Sequence, residues 1–137
     1  MAEPVQSRPT ERHLPVLVIE DDYDVRTALT EALTDEGYDV ACAADGAEAL
    51  ATLHDGTIPA LIILDLWMPK MGGLEFRAAQ LKEPNLAGIP VVVVTAGGVA
   101  PREMAGLGLA YVLRKPVDLE VLLRVVRRLS ARPRPGN

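Results

Sequence analysis

The chain has 137 residues, of which 49% are hydrophobic, 24% charged and 4% aromatic, a composition typical of one soluble globular domain with an aliphatic core. The net charge of −5 argues against direct contact with nucleic acid, which needs a basic surface. No apolar run is long enough to span a bilayer, so we expect a cytoplasmic protein without membrane contacts.

Short apolar runs alternate with helical patterns between two polar, proline-containing ends. Strands are predicted at residues 16–19, 38–43, 61–64, 91–94 and 111–113, and helices at about 24–36, 47–53, 74–82, 102–107 and 117–129. Continuous β-branched runs such as 91–94 are typical of strands buried on both faces. Five such β–α units predict an α/β fold, a doubly wound parallel sheet with helices on both faces. Cys42, inside the apolar second strand, is predicted to be a buried and inert thiol.

The domain is predicted to span residues 14–130. Residues 1–13 and 131–137 contain prolines and show no periodicity, so both are predicted to be flexible tails.

Polar residues stand just after four of the five predicted strands. In chain order they are Glu20-Asp21-Asp22, Asp65, Thr95 and Lys115-Pro116. A doubly wound sheet brings the carboxyl ends of its strands to one edge, where such folds hold their ligands. Several carboxylates crowded there would repel one another unless a cation joined them, and an all-oxygen site suits Mg²⁺. A lysine and a hydroxyl beside them predict a phosphoryl-transfer site.

Each of these residues also has a simpler interpretation when taken alone. Asp21 and Asp22 fit the start of a helix, Asp65 fits a turn, and Lys115-Pro116 fits a solvated lysine before a helix. Their joint occurrence at the strand ends of one sheet favours the shared site.

Residues 14–130 resemble the CheY-like receiver domains of bacterial two-component response regulators. The resemblance rests on three stretches: residues 16–22 (VLVIEDD), residues 64–73 (LDLWMPKMGG), and the pairs Thr95-Ala96 and Lys115-Pro116. It implies a flavodoxin-like sheet with strand order 2-1-3-4-5. It also implies that Asp65 accepts a phosphoryl group from a phosphohistidine on a sensor histidine kinase or a histidine phosphotransfer protein.

The same resemblance implies a role for each matching residue. Asp21 would bind Mg²⁺ directly and Glu20 through water, with Asp65 and the backbone carbonyl of Trp67 as further ligands; Asp22 would be peripheral. The Thr95 hydroxyl, the Ala96 amide and the Lys115 ammonium would hold the phosphoryl oxygens. The Lys115-Pro116 bond is expected to be cis. Phosphorylation would pull Thr95 inward, shift the Gly97-Gly98 loop and re-pack the face of helix four, strand five and helix five for an unknown partner.

Three positions depart from the family pattern. The customary switch aromatic of strand five falls on Val112, with Tyr111 one residue earlier, and the segment between Thr95 and Lys115 is short, which predicts an abbreviated helix four. Trp67 is a bulky residue beside the acceptor; either it shields the acyl phosphate from water, or its ring lies on the surface without kinetic effect.

Two other functions remain open at this point. A pseudo-receiver would be an interaction scaffold that no longer uses phosphate. A Mg²⁺-dependent phosphohydrolase would use an aspartyl-phosphate intermediate, but it would need an acid where Trp67 stands. The receiver interpretation makes the chain a signalling switch and not an enzyme. It leaves open whether the chain acts alone or is part of a longer protein. A phosphorylation-dependent homodimer is a further expectation that no particular residue supports.

Overall fold

A computed structural model describes residues 13–97 and 101–130 of the chain. Five parallel strands form one sheet in the order β2-β1-β3-β4-β5, which confirms the predicted doubly wound topology. The strands are β1 (His13–Ile19), β2 (Tyr38–Ala43), β3 (Leu61–Asp65), β4 (Val91–Thr95) and β5 (Tyr111–Arg114). The tails predicted at residues 1–13 and 131–137 lie outside the described residues, apart from the backbone of His13.

Six helices lie within the described residues. They are α1 (Tyr23–Asp35), α2 (Gly46–His54), α3 (Gly73–Leu81), α4 (Pro84–Ala87), α5 (Pro101–Ala105) and α6 (Leu119–Ser130). The four-residue helix α4 was not predicted, so the predicted helices four and five correspond to α5 and α6. Helix α6 begins two residues later than predicted, because the Asp118 carboxylate accepts hydrogen bonds from the amides of Glu120 and Val121 at 3.0 and 3.3 Å.

The core consists of two apolar layers, one on each face of the sheet. Successive strand residues point to opposite faces, so the central strands feed both layers in alternation. One layer contains strand residues with the side chains of α2, α3 and α4: Leu17, Ile19, Ile62, Leu64, Val91, Val93, Leu53, Phe76 and Leu86. The other packs strand residues against α1 and α6: Val16, Val18, Leu61, Ile63, Val92, Val94, Leu29, Leu33, Leu122 and Val126. Each fully buried side chain of this kind stabilises the fold by about 1.5–3 kcal/mol.

The strand register brings the carboxyl ends of β1, β3, β4 and β5 into line. Ile19 lies opposite Leu64, Asp65 opposite Val94, and Thr95 opposite Arg114. The polar residue that ends or follows each strand therefore lies at one edge of the sheet.

The edge strands are more exposed than the sequence suggests. Cys42 on β2 is exposed, with its thiol 3.1 Å from the Thr30 hydroxyl, so the prediction of a buried thiol is wrong. Tyr111 and Val112 on β5 are 47% and 38% exposed. No helix in the described part of the chain is long and apolar enough to cross a membrane.

Candidate functional site

Three carboxylates form a cluster at the carboxyl edge of the sheet. One oxygen each of Glu20, Asp21 and Asp65 lies within 4.8 Å of the others. Glu20 and Asp65 are only 1% and 3% exposed, whereas Asp21 is exposed at the mouth of the site. The Arg26 guanidinium holds the turn after β1, donating to the Glu20 carbonyl at 2.8 Å and to the Asp21 carbonyl at 3.4 Å.

Asp22 stands outside this cluster. Its carboxylate accepts a hydrogen bond from the Val25 amide at 3.1 Å and caps α1. A capping carboxylate stabilises the first turn of a helix, so the third acid of the run has a local structural role. The structure thus separates Glu20 and Asp21 from Asp22, in the register that the sequence favours.

Lys115 lies between the two buried carboxylates. Its Nζ is 3.0 Å from Glu20 Oε1 and 3.5 Å from Asp65 Oδ2. The geometry of a hydrogen bond is met with Glu20 Oε2, at 3.3 Å, although Oε1 is nearer. The Lys115 amide donates to the Thr95 carbonyl at 2.9 Å, and the following bond to Pro116 is cis, as expected.

The site carries more negative charge than Lys115 balances. Burial, followed by the charge of Glu20, raises the pKa of Asp65 from 3.8 to about 7, although the Trp67 amide and Lys115 oppose the shift. Burial by itself would lower the pKa of Lys115, but its hydrogen bond to Glu20 and the two carboxylate charges outweigh burial and raise it. A charged Asp65 is therefore unfavourable here without a further cation.

The donor set fits a hard divalent cation. Glu20 Oε1 is buried and makes no hydrogen bond within the described residues; the Lys115 ammonium lies 3.0 Å away, but the oxygen keeps acceptor capacity for a cation or its water. With Asp21 and Asp65 it forms an all-oxygen, multiply charged cluster, the type that suits Mg²⁺. The acidic pocket can therefore hold a metal ion.

A second set of hydrogen bonds covers the opposite side of Asp65. The Trp67 amide donates to Asp65 Oδ1 at 3.2 Å, and the half-exposed Trp67 indole donates to the Gly97 carbonyl at 2.6 Å. The buried Thr95 hydroxyl accepts from the Gly97 amide at 3.1 Å. Ala96 follows Thr95 and is exposed, while Gly98 lies outside the described residues.

The packing behind Asp65 depends on Gly73, which the sequence analysis missed. A Cβ at Gly73 would lie 2.5 Å from the Asp65 carbonyl oxygen and 2.7 Å from Leu66 Cα. The Gly73 amide also donates to the Leu66 carbonyl at 3.0 Å. Helix α3 can therefore begin directly against the end of β3, and the only sequence signal for this was the Gly72-Gly73 pair.

The fold and the site together define a doubly wound α/β protein with an acidic pocket that could hold a metal ion, and with Lys115 between two of the carboxylates. Residues 16–127 match the family described as the response regulator receiver domain, so the chain belongs to that family. It is 38% identical over 122 residues to Response regulator MprA of Mycobacterium sp. (strain KMS), covering 88% of this chain and 52% of that protein. The chain thus spans about half the length of the curated relatives it matches.

Solved structures of the family agree with the fold. Chemotaxis response regulator CheY4 of Vibrio cholerae superposes with a TM-score of 0.77 at 32% identity, covering 85% of this chain and 98% of that one. A response regulator receiver protein from Pseudomonas putida gives 0.78 at 31% identity, covering 90% and 99%. The chain is therefore similar to two-component receiver domains in both sequence and fold.

Proposed function

We propose that this receiver domain, residues 14–130, is a phosphorylation switch in which Asp65 accepts the phosphoryl group. The donor would be a phosphohistidine of a sensor histidine kinase or a histidine phosphotransfer protein in the cytoplasm. The observation that carries the proposal is the position of Asp65: it is 3% exposed, within the carboxylate cluster, with Oδ2 3.5 Å from the Lys115 ammonium.

Asp65 is better suited than Glu20 to act as the nucleophile. Glu20 Oε2 already accepts from the Asp22 amide at 3.1 Å and from Lys115 at 3.3 Å, and Glu20 Oε1 lies 3.0 Å from the same ammonium, closer than any Asp65 oxygen does. Asp65 Oδ1 is held by the Trp67 amide, which leaves Oδ2 facing Lys115. In the transfer, an Asp65 oxygen bonds to phosphorus as the phosphorus–nitrogen bond breaks; the leaving imidazole keeps the electron pair and takes up a proton.

The residues of the pocket fit Mg²⁺ as the cofactor. Asp21, Asp65 and the Trp67 carbonyl would hold it directly, and Glu20 through water, with its Oε1, which makes no hydrogen bond, available to that water. When bound, the ion supplies positive charge that keeps Asp65 ionised and offsets the charge of the incoming phosphoryl group.

The phosphoryl oxygens would be held by the Lys115 ammonium, the Thr95 hydroxyl and the Ala96 amide. Lys115 and Thr95 lie at the ends of neighbouring strands, joined by the hydrogen bond between the Lys115 amide and the Thr95 carbonyl. Movement of Thr95 would then change the face formed by α5, β5 and α6, where Tyr111 and Val112 are available to a downstream protein or a second copy of the chain.

The test is the intact mass of the protein after incubation with acetyl phosphate, with and without Mg²⁺. We expect one added phosphoryl group that requires both Mg²⁺ and Asp65. The matched control is Asp65→Asn, which keeps the shape of the side chain but removes the nucleophilic carboxylate.

Failure would take one of two forms. An adduct that persists in Asp65→Asn would move the acceptor elsewhere. No adduct, together with no Mg²⁺ binding, would favour the pseudo-receiver scaffold. The phosphohydrolase alternative gains no support, because the Trp67 side chain offers only an indole N–H, and this donates to Gly97.

A further inference from the structure

Trp67 is attached to the structure at two points, although its side chain is 49% exposed. Its backbone amide donates to Asp65 Oδ1 at 3.2 Å, and its indole N–H donates to the Gly97 carbonyl at 2.6 Å. The second bond joins the loop after β3 to the loop after β4, across the acceptor. The half-exposed indole therefore makes a short hydrogen bond to a carbonyl 30 residues away in the sequence.

Gly97 connects this indole to Thr95. The Gly97 amide donates to Thr95 Oγ1 at 3.1 Å, and its carbonyl lies 3.4 Å from the same oxygen. With φ at +114°, Gly97 has a conformation that L side chains rarely adopt, and this turns both of its polar groups to these partners. The hydroxyl carries one proton, so it cannot donate to Gly97 and to a phosphoryl oxygen at once.

We propose that the hydrogen bond from Trp67 to Gly97 is a latch that holds Gly97, two residues beyond β4, in its unphosphorylated position. When the Thr95 hydroxyl turns to a phosphoryl group on Asp65, either Gly97 moves with it or the hydrogen bond from the Gly97 amide to the hydroxyl breaks. Either change moves the Gly97 carbonyl away from the indole and opens the latch. This proposal rests on the proposed function, and it assigns Trp67 the role of a positioning residue within the switch.

The turn that follows α5 is held by a different side chain, so we expect the movement to be confined to the end of α5 nearer Gly97. The Arg77 side chain, only 4% exposed, donates to the Leu107 carbonyl at 2.9 Å and to the Gly108 carbonyl at 3.1 Å. Release of Gly97 would therefore let α5 pivot about the Arg77 contact. The latch also supplies an aromatic residue for the switch, since the β5 position expected to carry one holds Val112.

Tryptophan fluorescence of the full chain tests the opening of the latch. Trp67 is the only tryptophan, so emission reports on this one indole. After treatment with acetyl phosphate and Mg²⁺, emission should differ from that of the protein with Mg²⁺ alone, in proportion to the phosphorylated fraction measured by intact mass. An adduct without a change in emission would overturn the latch. Absence of an adduct would overturn the proposed function instead, and the exchange experiment below would still test the latch.

Substitution of Thr95 separates the latch from a direct effect of phosphate on the indole. Thr95→Val lacks the hydroxyl and should be phosphorylated more slowly, without an emission change at a matched phosphorylated fraction. Thr95→Ser keeps the hydroxyl and should restore the change. If Thr95→Val showed the same change as the unaltered protein, the phosphate charge would be acting directly and the latch would be wrong.

Trp67→Phe tests the latch without phosphorylation. It removes the N–H but keeps an aromatic ring, so it opens the latch while preserving most of any shielding by the ring. The substitution removes the hydrogen bond to the Gly97 carbonyl, so local opening at Gly97 should become easier. The Gly97 amide should then exchange with solvent about two- to tenfold faster, the change expected for loss of one neutral hydrogen bond. Tyr111→Phe, at a comparably exposed aromatic residue, should leave that rate unchanged. Unaltered exchange at Gly97 in Trp67→Phe would refute the proposal.

Discussion

The acidic pocket should destabilise the metal-free protein in a pH-dependent way, and Asp65→Asn should remove that effect. The pKa of Asp65 rises from 3.8 to about 7 in the folded state. The folded protein therefore binds a proton more readily than the unfolded chain at pH values between these two. Stability must fall as the pH rises through this window, because the folded state has to give up a proton that it holds more tightly.

The magnitude follows from the size of the shift. A rise from 3.8 to about 7 corresponds to about 4 kcal/mol at most, at about 1.4 kcal/mol for each unit of pKa. The pocket opens to solvent beside the exposed Asp21, so screening reduces the effect, and we expect about 2 kcal/mol. Asp65→Asn should gain about this much stability relative to the unaltered protein at about pH 8, and almost none of it near pH 4.

Urea unfolding followed by circular dichroism, in the presence of a chelator, measures this difference. The informative quantity is how the difference in unfolding free energy between the two proteins varies with pH. A difference that is constant with pH carries no information on the ionisation of Asp65. Asp39→Asn, at an exposed position of β2, is the matched control and should show no such trend. A stability difference that stays flat from about pH 5 to 8, or that favours the unaltered protein as pH rises, would refute the reasoning. Added Mg²⁺ should reduce the difference, because it stabilises the charged form of Asp65.

Two substitutions test the packing that positions the site. Gly73→Ala should destabilise the fold by about 1–3 kcal/mol in urea unfolding, because its Cβ would meet backbone atoms at 2.5 and 2.7 Å. Gly88→Ala, with nothing within 4 Å of the new Cβ, should stay within about 0.5 kcal/mol of the unaltered protein. Arg77→Met should cost about 2–3 kcal/mol in the same assay, because it leaves two carbonyls at the end of α5 without their charged donor. Arg128→Met, at an exposed position of α6, should cost little, and equal losses for the two arginines would contradict the buried role.

Sequence periodicity predicted the sheet well because its central strands are buried on both faces. Runs such as residues 91–94 have no polar alternation, as expected of a β-branched strand that lies between two helical layers. The same reasoning predicted the site, since the carboxyl ends of parallel strands must meet. It failed at β2, where an edge position leaves Cys42 exposed in spite of its apolar neighbours.

The features that the sequence did not predict depend on short elements or distant contacts. Helix α4 has four residues, Pro84–Ala87, fewer than periodicity can detect, although Pro84 stands at a favoured helix start. Nothing local to Trp67 indicates Gly97 as its partner, because the contact joins two loops. Arg77 is an arginine that a helical pattern would place in solvent; its burial depends on carbonyls 30 and 31 residues away.

Magnitudes indicate how the switch divides its work between the latch and the phosphoryl contacts. Reversing a two-state equilibrium from 1:99 to 99:1 needs about 5.5 kcal/mol of differential binding. One neutral hydrogen bond such as that from Trp67 to Gly97 contributes about 0.5–1.5 kcal/mol, so the latch can set the starting balance but cannot drive the change. In the proposed switch the larger share must come from charged contacts, because phosphorylation would bring a charge of about −1.5 to −2 to a pocket already short of cations. The switch should therefore be lost without Lys115 but only biased without the indole N–H.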